Sequence, residues 1–276
     1  MRVTFCGVRG SVATPFADQI RYGGNTSCVA LSRPGEPPDL LLDAGTGLRA
    51  AADLLDGQPF DGTILLTHLH PDHIQGLPFF RSADGGRMRV HLPDQGDPYE
   101  VLGRAFGPPL FPLTLERLRG DWSFDVLEEG PHTFGAWSVL ALDLPHGGGR
   151  TLGYRVEHGG HSLAYVTDHC PTLLGPGPDG LGDRHENALR LADGVDLLIH
   201  DAHLTGAEVP DRAYLGHAAV EYAARLAEQA GARRLALFHH DPGRTDEQVD
   251  AIVAELSTTV PFFAAAEGLT VDLADA

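Results

Sequence analysis

Thr67-His68-Leu69-His70-Pro71-Asp72-His73 is the stretch that decides how this chain reads. The residues leading into it, Thr63–Thr67, form a short apolar run suited to a strand, and Asp72–Ser82 reads as helix, so the stretch lies where a strand stops and a helix starts. Four side chains able to bind a metal fall between His68 and His73. In such a turn His68 and His70 can point one way, while Asp72 and His73, in the first helical turn, face a second position a few ångströms off. Neutral imidazole and carboxylate suit zinc, with manganese or iron as substitutes. A carboxylate capping free helix N–H groups would explain Asp72 and none of the three histidines.

Working outward, other short apolar runs end on the same residue types. Leu40–Leu42 ends at Asp43, Trp137–Leu144 just before His146, Ser162–Thr167 at Asp168, Val195–Ile199 at His200 and Arg234–Phe238 at His239. Runs of this length rich in Val, Ile, Leu and Tyr are better strands than helices. Helices are expected at Gly47–Leu55, Asp72–Ser82, Ala218–Gln229, closed by Gly231, and Asp246–Leu256, where Thr245 and Gln248 stand in capping-box positions. Strands mixed with helices give an α/β class. Residues 83–130, carrying Gly107-Pro108-Pro109-Leu110-Phe111-Pro112, read as a loop-rich insertion in a single domain spanning 1–276, and no internal repeat is visible.

The 276 residues and 42% hydrophobic content supply ample material for a buried core. A formal charge of −18 opposes a partner that tracks a nucleic-acid backbone, which calls for a basic face. Cys6, Cys28 and Cys170 are too few and too scattered for a disulfide framework. The first residues lack the apolar run of a signal peptide, and no stretch reaches the roughly 20 apolar residues of a membrane span, so a cytoplasmic location and no membrane partner are expected.

The His68–His73 run is the HxHxDH signature that the metallo-β-lactamase superfamily carries. Gly7-Val8-Arg9-Gly10-Ser11, Arg21-Tyr22-Gly23-Gly24-Asn25-Thr26-Ser27-Cys28, Asp43-Ala44-Gly45-Thr46-Gly47 and Leu235-Ala236-Leu237-Phe238-His239-His240-Asp241-Pro242 narrow the resemblance to its ribonuclease Z-like branch, which also holds cyclic-nucleotide phosphodiesterases. The resemblance implies an αββα sandwich of two mixed sheets flanked by helices. It also implies two divalent ions, zinc foremost. His68, His70 and His146 would hold the first, Asp72, His73 and His239 the second, with Asp168 bridging and a hydroxide between the ions as nucleophile. His217, paired with Asp201, resembles the histidine that protonates the leaving oxygen. Asp201 stands where the branch usually has the longer Glu, and Ala218-Ala219 where it has Ser-Thr.

Asp43 is expected to hydrogen-bond a ligand histidine, and His240 to orient a ligand or touch substrate. The Gly7–Ser11 turn is open between a phosphate cradle and a plain turn, with Arg9 its residue of interest. His203, His169, His161 and His185 are candidate substrate contacts, His203 first among them. Phe106 and Phe111 beside the prolines could form an apolar wall or a dimer seam, and a homodimer is common in the branch. The substrate expected is a cyclic nucleotide or another small phosphodiester, large nucleic acid being disfavoured. Ribonuclease Z-like processing of tRNA 3′ ends is the alternative, but it needs a long Gly/Pro-rich arm, which the bacterial form carries between the residues matching His146 and Asp168; here only 22 positions separate them. Carboxylic-ester, thioester or lactone hydrolysis and non-catalytic nucleotide binding remain as further classes.

Overall fold

The apolar runs of the sequence pair into two seven-stranded sheets. The computed structural model of the protein describes residues 1–275. The first sheet takes β1 (Arg2–Gly7), β2 (Cys28–Ser32), β3 (Pro38–Leu42), β4 (Asp61–Leu65), β5 (Arg87–Pro93) and β6 (Asp121–Leu127). The second takes β7 (Gly130–Phe134), β8 (Trp137–Leu144), β9 (Thr151–His158), β10 (His161–Val166), β11 (Leu197–Asp201), β12 (Leu235–Phe238) and β13 (Phe262–Ala264); β14 (Thr270–Asp272) returns to the first, beside β1. Both sheets are mixed: β1 to β3 and β14 pair antiparallel and β3 to β6 parallel, while β7 to β10 pair antiparallel and β10 to β13 parallel.

Side chains alternate across a strand, and here both faces of the central strands are covered, which is why the runs are apolar without a polar period. In β3, Leu40 and Leu42 enter the core between the sheets while Leu41 faces the outer helical layer. In β12, Ala236 and Phe238 point inward, and Leu235 and Leu237 meet the helix Val220–Ala230 on the other side. The result is the expected αββα arrangement.

Elements differ from expectation in three places. The helix read over Asp72–Ser82 is broken: an α-turn at Pro71–Ile74 is followed by 3-10 turns at Leu77–Phe79 and Arg81–Ala83. Gly76 and Pro78 lie at the break; the Gly76 N–H bonds to Ala44 O instead of continuing the helix, and proline has no N–H to give. Second, residues 83–130 are not a loop-rich insertion, because they supply β5 and β6 and the helix Pro98–Gly103; the irregular part lies between them, and Phe106 and Phe111 pack there with Phe79. Third, β11 runs through His200 to Asp201, so His200 is a buried strand residue and not a strand-end side chain.

Candidate metal centre

The carboxyl ends of strands in both sheets deliver the side chains of the site, all but β8 having a parallel neighbour, the usual place for ligands in such sheets. Asp43 follows β3, the His68–His73 run follows β4, His146 follows β8, Asp168 follows β10, Asp201 ends β11 and His239 follows β12. Ser11, Asp43, Asp168 and His239 all have left-handed backbones, with φ of 60°, 60°, 52° and 59°. Side chains other than glycine rarely adopt this conformation, at a cost of about 1–3 kcal/mol each, and such strain concentrates at functional sites.

All seven residues expected to bind metal converge. One ligand atom from each of His68, His70 and His146 lies within 4.8 Å of the others, and the same holds for Asp72, His73, Asp168 and His239. Asp168 faces both groups with different oxygens. Its Oδ1 is 3.7 Å from His68 Nε2 and 3.6 Å from His146 Nε2, while Oδ2 is 3.2 Å from both His73 Nε2 and His239 Nε2. Neighbours fix the tautomers: His73 Nδ1 donates to Asp43 Oδ2 at 2.8 Å and His146 Nδ1 to Gly216 O at 2.7 Å, which turns each Nε2 lone pair into the site. Asp43 is itself held by the Thr67 N–H at 2.8 Å and by the Tyr165 hydroxyl at 2.9 Å, the latter a contact with no signal in the sequence.

The donor set fits two cations. Nε2 of His68 and of His73 is buried without a hydrogen-bond partner, a costly arrangement unless a cation takes the lone pairs. Burial lowers the pKa values of His68, His70 and His146, leaving them neutral and able to ligate. Burial alone would raise Asp72 and Asp168, but His73 and His239 hold both carboxyls well below the usual carboxylate range. His68, His70 and His146 are thus held neutral, whereas Asp168, Asp43 and Asp72 outweigh burial and raise the pKa of His73, so that an ion at its Nε2 would displace a proton; with charged carboxylates beside them, these donors suit a divalent zinc, manganese or iron site.

Beside the cluster, His217 Nδ1 donates to Asp201 Oδ2 at 2.9 Å, so the shorter carboxylate does reach. Burial disfavours the imidazolium, yet Asp201 outweighs it and pushes His217 up to about 9. Asp201 also accepts the N–H groups of His203 at 2.9 Å, His169 at 3.2 Å and Ala218 at 3.3 Å, which ties three loops to one carboxylate. His203 stacks on His217, and burial together with His217 and His239 lowers it to about 3.

Other expected contacts are absent from the site. His240 Nε2 donates to Ala265 O at 2.9 Å, and its ring meets Tyr22 edge-on, so it orients no ligand. Arg9 is fully buried and donates to the carbonyls of Gly23 at 2.7 Å and Arg244 at 2.7 Å; it braces loops. The N–H groups of Val8, Arg9, Gly10 and Ser11 are all taken, by Asn25 O, His240 O and Asp72 Oδ2, so this turn cradles no phosphate. His161 lies near Asp196, and His169 bonds His200 Nε2 at 3.1 Å behind the site. His185 packs against His169 there.

Comparison with known proteins gives a family and a set of folds. The family described as the β-lactamase superfamily domain matches residues 39–240. A ribonuclease Z from Synechococcus sp. (strain CC9311) is 28% identical, covering 95% of this chain and 95% of its own length. A diphosphatase of the PhnP family superposes with a TM-score of 0.70 at 18% identity, covering 98% of this chain and 97% of the other. The short form of human tRNase Z does so with 0.67 at 20% identity over 99% of each chain. At those identities the two structures speak for the fold alone.

Proposed function

The chain belongs to the β-lactamase superfamily, and from that premise we propose that it is a dinuclear metal-dependent phosphodiesterase acting on cyclic nucleotides or another small phosphodiester. The observation that carries this reading is the Asp201–His217 pair, hydrogen-bonded at 2.9 Å beside the seven-residue cluster. Hydrolysis of a phosphodiester forms a P–O bond to the attacking hydroxide and breaks one to an ester oxygen, which departs as an alkoxide needing a proton, and an imidazole pushed up to about 9 holds one at neutral pH.

His68, His70 and His146 would hold one ion, Asp72, His73 and His239 the other, and Asp168 would give one oxygen to each. When bound, the ions supply an acidified water as nucleophile and offset charge on the phosphoryl oxygens. Asp72, aligned by the Ser11 N–H at 2.6 Å, orients the attacking water. Asp201 fixes the His217 tautomer, so that Nδ1 faces the carboxylate and Nε2 is left for the leaving oxygen. A homodimer belongs to this reading as well, and light scattering that finds a monomer removes it.

A second reading, cleavage of an RNA substrate, is favoured by the similarity to a ribonuclease Z along nearly the whole chain, and it weighs against setting large nucleic acid aside. Against it, His146 and Asp168 are joined by the β9–β10 hairpin, turning at Gly159 and Gly160, with no arm to clamp RNA, and the net charge is −18. The deciding experiment offers the metal-loaded protein bis-p-nitrophenyl phosphate, 2′,3′- and 3′,5′-cyclic nucleotides and a tRNA precursor, with Asp72→Ala as control. Metal-dependent turnover of a cyclic nucleotide, lost in the variant, is expected. Cleavage of the precursor alone moves the assignment to RNA processing. Silence on every phosphodiester from protein holding two ions overturns both, leaving ester, thioester and lactone hydrolysis or nucleotide binding.

A further inference from the structure

The site contains two carboxylate–imidazole pairs. Besides Asp201–His217, Asp241 Oδ2 lies 3.4 Å from His203 Nε2, and the His203 and His217 rings stack with centroids 4.1 Å apart and planes inclined by 15°. Arg212 clamps Asp241, and the Gly243 N–H donates to its other oxygen at 2.7 Å. A carboxylate so held offers only acceptor oxygens, so although the pair is too loose for a regular hydrogen bond its charge favours the His203 proton on Nε2 and leaves Nδ1 as a bare acceptor. That Nδ1 is buried and has no partner.

His239 has the opposite need. Its Nε2 faces Asp72 Oδ2 and Asp168 Oδ2, each at 3.2 Å, so as a ligand it carries its proton on Nδ1. This Nδ1 is also buried without a partner. The two nitrogens flank one point: a Cβ built on Gly10 would lie 2.6 Å from His239 Nδ1 and 2.9 Å from His203 Nδ1. One ring nitrogen each of His203, His217 and His239 also lies within 4.8 Å of the others. His217 cannot be the acceptor through Nδ1, which Asp201 already engages. A donor without an acceptor and an acceptor without a donor thus flank the same gap beside Gly10, without bonding each other in this structure.

We infer that His203 is the positioning residue for His239, accepting its Nδ1–H directly or through one water, in a chain that runs His239, His203, Asp241, Arg212. The inference rests on the two-ion reading. His73 on the same ion is already oriented by Asp43 at 2.8 Å, and His203 gives His239 the equivalent support. Loss of such a partner lowers metal affinity about 10–100-fold. Gly10 is part of the device, because any side chain there would collide with both rings.

The test measures zinc binding to the metal-free protein by chelator competition, for wild type, His203→Leu and His203→Asn. Asn presents a carbonyl oxygen near the place of Nδ1, whereas Leu fills space and accepts nothing. The expected result is one ion weakened about 10–100-fold in His203→Leu with the other unchanged, and affinity within a few-fold of wild type in His203→Asn. Unchanged affinity for both ions in His203→Leu overturns the inference. So do equal losses in the two variants, which would mark a packing role. If His203→Leu does not fold, nitrogen-15 NMR of the zinc-loaded wild type decides: a His203 protonated on Nδ1 overturns the inference, and Nε2–H on His203 with Nδ1–H on His239 sustains it. Wild type that binds fewer than two ions fails the two-ion reading itself, a result separate from any difference among variants.

Discussion

His217 is not among the seven ligands that the resemblance implies, and although a ring nitrogen lies within 4.8 Å of ligand atoms of His146 and Asp168, its Nδ1 is engaged by Asp201, so metal analysis separates its role from metal binding. Its imidazole, pushed up to about 9 by Asp201, is needed only where the departing oxygen is basic. His217→Ala should therefore lower turnover of a cyclic nucleotide by about 10²–10⁴-fold, and turnover of bis-p-nitrophenyl phosphate, whose leaving group needs no proton, far less. Steady-state kinetics on both substrates with metal analysis checks this; equal losses on both, or a lost ion, would refute the acid role. At this scale the sequence was legible where ligands crowd together, as in His68–His73. His146, Asp168 and His239 are single residues scattered along the chain, legible only through resemblance. His203 stood out only as a candidate substrate contact; the positioning role left no signal, because its partners Asp241, Arg212 and the gap at Gly10 are brought to it by folding. The same reason left the Gly7–Ser11 turn open between a phosphate cradle and a plain turn, and Arg9 without a role, until its hydrogen bonds to Gly23 O and Arg244 O could be seen.

Among the elements, the helix Asp246–Glu255 braces the loop that leads toward the site. Thr245 and Gln248 form the expected capping box, Asp246 accepts the N–H groups of Arg21 and Tyr22 at 2.9 and 3.2 Å, and Asp250 binds the Arg21 guanidinium. Thr245→Ala should cost about 1 kcal/mol, seen as a lower urea midpoint at unchanged slope. The segment Thr205–Arg212 depends instead on charge: Glu208 accepts from the Thr205 N–H at 2.7 Å and from Arg244 at 2.8 Å, and although burial opposes it, these partners lower its pKa. A lowered carboxyl stabilises fully above its unfolded pKa, about 4.3, and loses that stabilisation as pH falls through the folded value. Glu208→Gln should accordingly destabilise at pH 7 and little at pH 3; an equal effect at both would show that the charge is unimportant. The capping box was readable because its signal is local. β5 was overlooked although Arg87, Met88, Arg89, Val90, His91 and Leu92 alternate outward and inward, since the Gly- and Pro-rich neighbours dominated the reading of the region. The helix expected over Asp72–Ser82 failed for a local reason, Gly76 and Pro78, that its apolar spacing outweighed.

In the whole molecule, the two sheets repeat one pairing pattern, three antiparallel contacts followed by three parallel ones, with no repeat visible in the sequence. Pairing depends on backbone geometry and a two-residue period, which many sequences satisfy, so duplicated architecture leaves no necessary trace in residue identity. The consequence is mechanical. His68, His70, Asp72 and His73 follow a strand of the first sheet, whereas His146, Asp168 and His239 follow strands of the second, and each Asp168 oxygen faces one histidine from either sheet, Oδ1 meeting His68 and His146 and Oδ2 meeting His73 and His239. Ions bound here would join the two halves at the end where the inter-sheet apolar core gives way to polar side chains, and they would also relieve the repulsion between Asp72 and Asp168. An ion present at 100 times its dissociation constant stabilises the folded state by about 2.7 kcal/mol, provided that it does not bind the unfolded chain. For two ions in a chain of this size, removal by a chelator should lower the melting temperature by an amount on the order of 10 °C. Calorimetry of loaded, stripped and reloaded protein checks this, and reloading should restore the loss. An unchanged melting temperature, with metal analysis showing both ions gone, would mean that the halves are held by the apolar core alone and that the cluster serves chemistry without contributing to the fold.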